Sequence, residues 1–541
     1  MTSITHTDVL IIGAGPAGLM AANALEKEGV DWICLEKRSE PSTLSKALGI
    51  QARTLEMFEL LNVHKPFLER GYPGPGTKLH LGDTTPSVEE LYHIQSRYPY
   101  ILIIPQSETE EILEKHLNRS GKSIKREHEV IEVTQHSDGV YVKAEHNGET
   151  REYHAKYLMA CDGAHSKVRE VLDVEFEGQD DGFTFFLGDV DVPAFNDIYI
   201  NVFLNDRGAA AFFPYKDGSY RVVGLDRSKQ GEPRQDHLSL HDLQESLDTI
   251  LPEPLQVENP KWLTYFGTAH RQVTTYRKER IFFVGDAAHI HNPIGGQGMN
   301  LGLQDAVNLG WKIRAVLEGH AHDSFLNSYH HERYPIGKDV LWETSAMLRV
   351  VLLEGTIGKI RNWAGKWALT QNWVQQRVAN HMSHVYNDYD KTTQNRSLRD
   401  PSLSKKALQA GDRVPDYLLF FDGTTDERLY PFIRRHGHLC LIYIDDAQDE
   451  AVIDYAYDFA SKVKETYQDL VTVYLVARGG TVSSNPDHEL PIIYDVHHDL
   501  QKHVGMRKGH TLFIRPDGHV AFHETSTSSG NTLAKMKRFF S

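Results

Sequence analysis

The sequence predicts an α/β protein: a Rossmann-like unit at the N-terminus, an antiparallel sheet interleaved with it, a helical segment, and a second α/β unit at the C-terminus. Three observations predict this. Asp8–Ile12 is a short apolar run that ends in the glycine turn Gly13–Gly18; a helical stretch, Leu19–Glu28, and a second apolar run ending at Glu36 complete a βαβ unit. Between residues 183 and 226 the pattern becomes strand-like, with runs separated by Gly, Pro, Asn and Asp. From residue 417 strand and helix patterns alternate again.

The elements follow in order. Gly29 stops the first helix, and helices are expected at 49–61 and at Ser107–Arg119. Residues 128–160 read as a meander, with Asp-Gly and Asn-Gly turns between alternating runs. After the 183–226 sheet, 280–285 returns to a buried strand. Leu301–Glu318 is a helix, and helical composition continues to about 386. Residues 387–416 are polar and turn-rich and are expected to form a linker or wrap. The expected units are 1–175 and 271–345 (the Rossmann-like part), 176–270 (the sheet), 346–386 (helical), 387–416 (linker) and 417–541 (C-terminal).

Composition excludes several functions. The chain has 541 residues, 40% hydrophobic and 24% charged, which excludes a mostly disordered protein. Its net charge of −16 disfavours nucleic acid and membrane surfaces as partners of the whole molecule. Cys34, Cys161 and Cys440 have no short spacing, so no disulfide scaffold, CxxC centre or cysteine zinc site is expected. The histidines at 320, 322, 330 and 331 have no ligand spacing that makes a metal site. The N-terminus has no basic segment before a long apolar run, and the expectation is a cytoplasmic protein.

The residues that carry chemistry begin with Gly13, Gly15 and Gly18. This GxGxxG follows a strand, opens a helix at Pro16 and Ala17, and precedes an acid, Glu36, which Lys37 follows. Gly13 makes the turn, Gly15 admits a pyrophosphate and Gly18 allows close packing. Free N–H groups at the helix start favour an anion, and Glu36 suits a ribose hydroxyl. The motif alone does not separate NAD from FAD. Two later segments do: CDGAHSKVR from Cys161 and GDAAHIHNPIGGQGMNLGLQDAVNLGWKI from Gly285.

With these the chain resembles the FAD-dependent aromatic hydroxylases, single-component flavoprotein monooxygenases such as p-hydroxybenzoate and phenol hydroxylases. The resemblance spans nearly the whole chain. It rests on the fingerprint with Glu36, Arg53 in QARTLEMF, Gln106 in PQSETEEIL, Asp162-Gly163 with Arg169, and Gly285-Asp286 with Pro293 and Gly295–Asn300. It implies FAD as cofactor and NAD(P)H as a transient co-substrate, with O2 and a small aromatic, phenolic molecule as the other reactants. Hydroxylation would run through a flavin C4a-hydroperoxide. Asp286 and Gln106 are assigned to FAD hydroxyls, Asp162 to the flavin and the nucleotide or to a plain turn, and Arg53 to the pyrophosphate or the incoming phosphate. The loop holding Pro293, Gly296 and Gly298 would pass close to the flavin ring. The helix beginning at Met299 and Asn300 would steady negative charge on it. Asp305 and Asn308 read as packing and hydrogen-bonding groups.

The interleaved sheet is expected to roof the flavin, with Phe185, Tyr199, Phe203, Phe213 and Tyr215 as candidate pocket walls. Tyr215, His270 and Arg271 are the candidates for proton handling. The C-terminal unit resembles the thioredoxin-like domain appended to phenol and polyketide hydroxylases. It lacks CxxC, and Thr511 stands where a proline would be expected. Its expected role is packing or oligomerisation, with a homodimer as the candidate assembly. A hydroxylase of polyketides or antibiotics and a flavin reductase of the same fold remain alternatives. A halogenase is excluded by the missing WxWxIP signature, and a non-catalytic carrier by the intact GD and GQG elements.

Overall fold

The N-terminal apolar run forms the middle of a seven-stranded sheet. Strand Thr5–Ile12 pairs in parallel with Glu149–Ala160 on one side and with Trp32–Leu35 on the other. Strand Ile281–Phe283 extends the parallel core beside Glu149–Ala160, and the meander strands Glu129–His136 and Gly139–His146 fold back on it. Val9 to Ile12 are buried, as both faces of a parallel strand must be. The computed structural model describes residues 4–42, 45–82, 87–231, 237–293, 295–353, 355–369, 371–420, 426–444, 450–478 and 490–541. Ile294 of the glycine loop lies outside them, as do two short stretches of the C-terminal pattern that is expected to run as a strand at 417–421 and a helix at 448–464.

Helix Pro16–Lys27 starts with proline, whose missing N–H costs nothing there, and ends with Lys27 at its negative pole. It packs against the buried helix Gly298–Leu317. Glycine permits this closeness: a Cβ on Gly310 would lie 2.9 Å from the Ala24 Cβ, and one on Gly302 would lie 2.9 Å from the Gly285 Cα.

The second sheet has eight strands, ordered His289–Ile290, Glu258–Val273, Phe176–Asp191, Tyr220–Asp226, Gly208–Pro214, Ile200–Asn205, Gly76–Leu81, Ser87–Glu90. Three features differ from expectation. Residues 76–90, placed with the Rossmann-like part, supply two edge strands of this sheet. Strand Glu258–Val273 runs through the boundary set at 270, and helix Asn327–Val351 through that set at 345. Long strands paired off by alternation override local composition at such joints. Residues 387–416 are no free linker: Tyr389, Asn395, Leu398, Ala410 and Val414 are buried, so the polar composition hid a packed wrap.

The C-terminal unit is a third sheet, ordered Asp426–Arg428, Leu418–Phe420, Ile492–Tyr494, Val471–Ala477, His438–Ile444, Thr511–Ile514, Val520–Glu524. Its three inner strands are parallel and its last two antiparallel. Trp311 and Phe325 join its core with Phe513, Phe539 and Phe540. No helix among the described residues is long and apolar enough to cross a membrane.

Candidate functional site: a glycine-lined crevice at the strand ends

The parallel strands end together, and three motifs meet there. Gly13 has φ +96°, and a Cβ on it would lie 2.5 Å from the Cys161 carbonyl oxygen. A Cβ on Gly18 would lie 1.9 Å from the Gly13 oxygen, whereas one on Gly15 would meet nothing within 4 Å. The first and third glycines therefore serve packing, and the second faces open space. Ala17 contributes its methyl to packing, 2.9 Å from where a Gly285 Cβ would stand.

Glu36 caps the fingerprint from below. Its Oε2 accepts the Ala14 N–H (2.7 Å), and its Oε1 accepts from Arg38 N and Nε (both 3.0 Å). Burial raises its pKa, but Arg38 and the two backbone donors outweigh burial and hold it below the usual value. Lys37 is exposed.

The DG and GD turns are tied to each other. Arg169 donates to the Ala164 oxygen (2.6 Å) and the Ala287 oxygen (3.1 Å). Asp162 Oδ2 accepts the Val168 N–H (3.1 Å), while Asp162 Oδ1 is buried without a partner, and burial raises this carboxyl's pKa. Asp286 is accessible to solvent, yet desolvation by the protein around it raises its pKa. That combination fits a carboxylate at the bottom of a cleft. Beneath the GD turn Asp305 receives Gly285 N (3.3 Å), His289 Nε2 (2.7 Å) and Arg333 Nε (2.6 Å). The hydrogen-bonding role expected of Asp305 is thus located. Its partners His289 and Arg333 gave no signal in the sequence beyond their spacing along one helix and one turn.

The glycine loop is stapled to the strip 45–51. Asn300 Nδ2 donates to the Gly49 oxygen (2.8 Å) and the Gly296 oxygen (2.9 Å), and its Oδ1 accepts the Gln51 N–H (2.9 Å). The Asn300 side chain is spent on protein, which leaves its backbone N–H as the group that can face a cofactor. Gln106 holds the same strip: its Oε1 accepts the Ala47 N–H (3.1 Å), and its Nε2 donates to Glu110 (2.8 Å). Pro293 is half-buried, Gly296 has φ +62° with open space around it, and Met299 packs on the main core. The helix closes its first turn with Leu301 N–H on the Gln297 oxygen (3.0 Å), so the N–H groups of Gly298, Met299 and Asn300 lie ahead of any intrahelical acceptor.

Arg53 is a correction. Its buried guanidinium binds Glu56 (2.8 Å), Tyr430 Oη (3.2 Å) and the Asp517 oxygen (2.5 Å). Its side chain is committed to the contact with the C-terminal unit. A helix arginine in a family motif looks the same in sequence whichever way it turns.

The proton-handling candidates separate. Burial pushes the Tyr215 phenol far above its usual pKa, and its hydroxyl donates to Asp189 (3.4 Å), so it holds its proton. Arg271 is an exposed partner of Asp180 (3.1 Å). His270 Nδ1 lies 2.7 Å from Asp181 in the irregular stretch of strand Phe176–Asp191. His291, expected by no motif argument, stands beside the loop: its Nε2 would lie 2.9 Å from a Gly298 Cβ, and burial lowers its pKa to about 4, so it is neutral.

The residues match the model of the FAD binding domain family over 6–344. The chain belongs to this family of FAD-dependent aromatic monooxygenases. An aromatic compound monooxygenase of Bacillus subtilis is 30% identical over 516 residues, covering 95% of this chain and 94% of its own length. Pentachlorophenol 4-monooxygenase of Sphingobium chlorophenolicum is 29% identical over 533 residues, 95% of this chain and 93% of its own. The structure of OxyS anhydrotetracycline hydroxylase from Streptomyces rimosus superposes with a TM-score of 0.77 at 28% identity, over 99% of both chains.

The crevice of this monooxygenase fits FAD. Gly15 and Gly296 leave open space where a dinucleotide and a flat ring would pass. Three buried polar atoms around it, Asp162 Oδ1, His291 Nε2 and Gln297 Oε1, have no partner among the described residues. Buried polar atoms without partners at the DG turn and the glycine loop suit a polar ligand between them.

The roof is the second sheet. In strand Gly208–Pro214 burial alternates: Gly208, Ala210, Phe212 and Pro214 are buried, while Ala209, Ala211 and Phe213 are half-exposed. The buried face carries Phe203 and Phe212 against helix Leu240–Ile250. Phe203 is therefore core, not pocket. Tyr199 is also displaced, its hydroxyl on Glu90 (3.0 Å). The open face carries Val202, Ala211, Phe213 and Val223, and meets Leu48 and Ile103 of the strip. Phe185 shares that side but is packed with Phe266, Leu225 and Leu348. Arg221, fully buried, binds Asp189 in two parallel bonds (2.7 and 2.6 Å) and also donates to the Ser45 oxygen, fixing roof to strip.

Proposed function

We propose that this monooxygenase hydroxylates a phenolic aromatic compound, using O2 and a reduced nicotinamide nucleotide, with the substrate held between the glycine loop and the open face of the second sheet. One observation carries the reading. The strand Gly208–Pro214 leaves only small or flat side chains, Ala209, Ala211 and Phe213, on the side that meets the strip stapled to that loop. A sheet face that is apolar, half-exposed and fixed to a cofactor loop is a wall for a planar ring. Pentachlorophenol and anhydrotetracycline, named for two relatives, are compounds of this kind.

The chain's residues divide the work. Glu36 would accept a ribose hydroxyl, since Oε2 takes only one short hydrogen bond from the protein. Asp286 would take a ribityl or ribose hydroxyl. Bound there, FAD supplies the activation of O2. The N–H groups of Gly298 to Asn300, at the positive end of a 20-residue helix, would stabilise negative charge on a flavin held against the glycine loop. His270, oriented by Asp181, is the group suited to take a phenol proton. Tyr215 would donate a hydrogen bond. The apolar roof excludes water. The nucleotide would dock transiently, since the chain has no second glycine fingerprint. The C-terminal unit is read as thioredoxin-like, without a dithiol, and serves packing.

The test is NADH and NADPH oxidation with O2 uptake across phenols, hydroxybenzoates and fused-ring phenols. Ligand-stimulated oxidation with hydroxylated product is expected. Oxidation without O2 uptake for every ligand would make the chain a reductase. Asp286→Ala is expected to purify with less FAD, and full flavin content in that variant removes its assignment.

A further inference from the structure

Four of the chain's seven tryptophans, at 342, 363, 367 and 373, fall in the helices between 327 and 382. All four are exposed: Trp342 at 72%, Trp363 at 74%, Trp367 at 61% and Trp373 at 65%. Helix Gly355–Leu369 is turned inside out. Its Gly358 is buried, a Cβ on Gly365 would touch Leu81 at 3.4 Å, and Arg361 donates to the carbonyls of Val350, Val351 and Leu353 (2.9, 2.8 and 3.1 Å). The opposite side, at helical spacing, carries Ile360 and Trp363 into solvent. On helix Asn327–Val351 the buried side holds Val340, Leu341 and Leu348, and the outward side Trp342, Arg349 and Val350. On helix Asn372–Met382 Ala379 is buried, and Trp373 and Arg377 face out.

Three consecutive helices thus each turn large apolar or aromatic side chains into solvent, where a helix of a monomer would bury them. Charge identifies what covers them. Between Asn327 and Met382 the chain carries seven Lys or Arg and four acids, Glu332, Asp339, Glu343 and Glu354, a local excess of three positive charges within a protein of net charge −16. The whole-molecule charge argues against an anionic partner, but this local segment has the opposite sign. A second copy would set one basic surface against another. Exposed tryptophan rings with exposed Arg349 and Arg377 and an excess of cations over acids (Asp339 and Glu343 beside Trp342 included) are the composition of a surface that rests in the headgroup layer of an anionic bilayer.

We propose that helices 327–351, 355–369 and 372–382 dock this monooxygenase on anionic phospholipid, as a peripheral contact that inserts tryptophan rings without spanning the membrane. This goes beyond the catalytic reading and does not depend on it.

The test uses the full-length, FAD-loaded protein and sedimentation with two kinds of vesicle, pure phosphatidylcholine and phosphatidylcholine with about one third phosphatidylglycerol. Roughly tenfold more protein is expected to pellet with the anionic vesicles at low ionic strength, and high salt is expected to reverse most of it. Trp363→Ala with Trp373→Ala, and separately Ile360→Asp, are expected to abolish the excess. Flavin absorbance of the soluble variants establishes that they are folded. Equal, weak sedimentation with both vesicles overturns the proposal. So does undiminished binding by folded variants. A concentration-dependent dimer that Ile360→Asp dissolves also overturns it and assigns the face to a second copy.

Discussion

The seam between the FAD unit and the C-terminal unit and the outer helical stretch 340–382 are opposite in polarity. In the seam, charges are inside. Arg515 binds both oxygens of Glu332 (2.7 and 2.9 Å) and Asp517, Lys312 reaches Glu332 (2.8 Å), and Glu56 is shared by Arg53 and Arg413 (2.8 and 3.0 Å). Aromatics cover them, with Arg515 over the rings of Trp311 and Tyr389 at 5.0 and 5.1 Å. In the outer helices the cation Arg361 is turned inward and the tryptophans outward. The difference teaches where each surface finds its partner. The charges of Glu332, Arg515, Asp517, Lys312, Glu56, Arg53 and Arg413 are matched within the chain, which ties the C-terminal unit to the FAD unit. The outer helices turn Arg361 inward and leave large apolar side chains for something else.

The largest effect is expected from breaking the seam. Glu332→Ala leaves Arg515 and Lys312 short of a shared anion in a buried site, a loss of about 3–5 kcal/mol. Denaturant unfolding followed by tryptophan fluorescence measures it. The same carboxyl predicts acid behaviour. Burial raises its pKa, but Arg515 and Lys312 dominate and bring it from 4.5 to about 2. A carboxyl depressed on folding stabilises fully above its unfolded pKa. That contribution is lost as pH falls from about 4.5 towards 2, so wild-type stability drops in this window. A Glu332→Gln protein that starts less stable should show a shallower drop there; an unchanged slope assigns the acid sensitivity elsewhere.

Arg53→Met sharpens the comparison further. If the arginine belongs to the seam, its loss leaves Glu56 with Arg413 alone and costs about 3 kcal/mol in stability. FAD affinity per folded molecule is unchanged. A protein of full stability and weakened FAD binding would return Arg53 to the phosphate. A smaller effect, about 1–3 kcal/mol, is expected for Gly302→Ala, whose Cβ would press on the Gly285 Cα at 2.9 Å and part the GD turn from its helix. Flavin retention reports it.

How much of this was legible in the sequence depends on whether a residue acts locally. The glycine roles were, because a turn of 13–18 can be judged from its own few residues: Gly18 meets Gly13 and Gly15 meets space. So were the strands of both main sheets from 128 to 226, through alternation. The strands at 72–90 were missed, because their pairing with 200–205 is remote and parallel. The partners of the Arg53 and Asn300 side chains were hidden for the same reason: Asp517 and Gly49 lie 464 and 251 residues away. The sheet aromatics were separated only by register. Phe203 faces the helix and Phe213 the crevice, and a strand pattern does not say which side is which.

The smallest effect is the most telling about the outer helices. Trp363→Gln removes a large aromatic ring, a change that in a core costs several kcal/mol. Here the ring is 74% exposed, and stability is expected to move by no more than about 0.5 kcal/mol. Trp311→Gln is the matched control, because Trp311 is buried among Phe325, His438 and Phe539 and should cost several times as much. If the two variants lose the same stability, the outer ring is covered by its own chain and the two regions are not opposites. If only Trp311→Gln is destabilised, a ring that does nothing for folding has been left on the surface, and selection for something other than stability has to account for it.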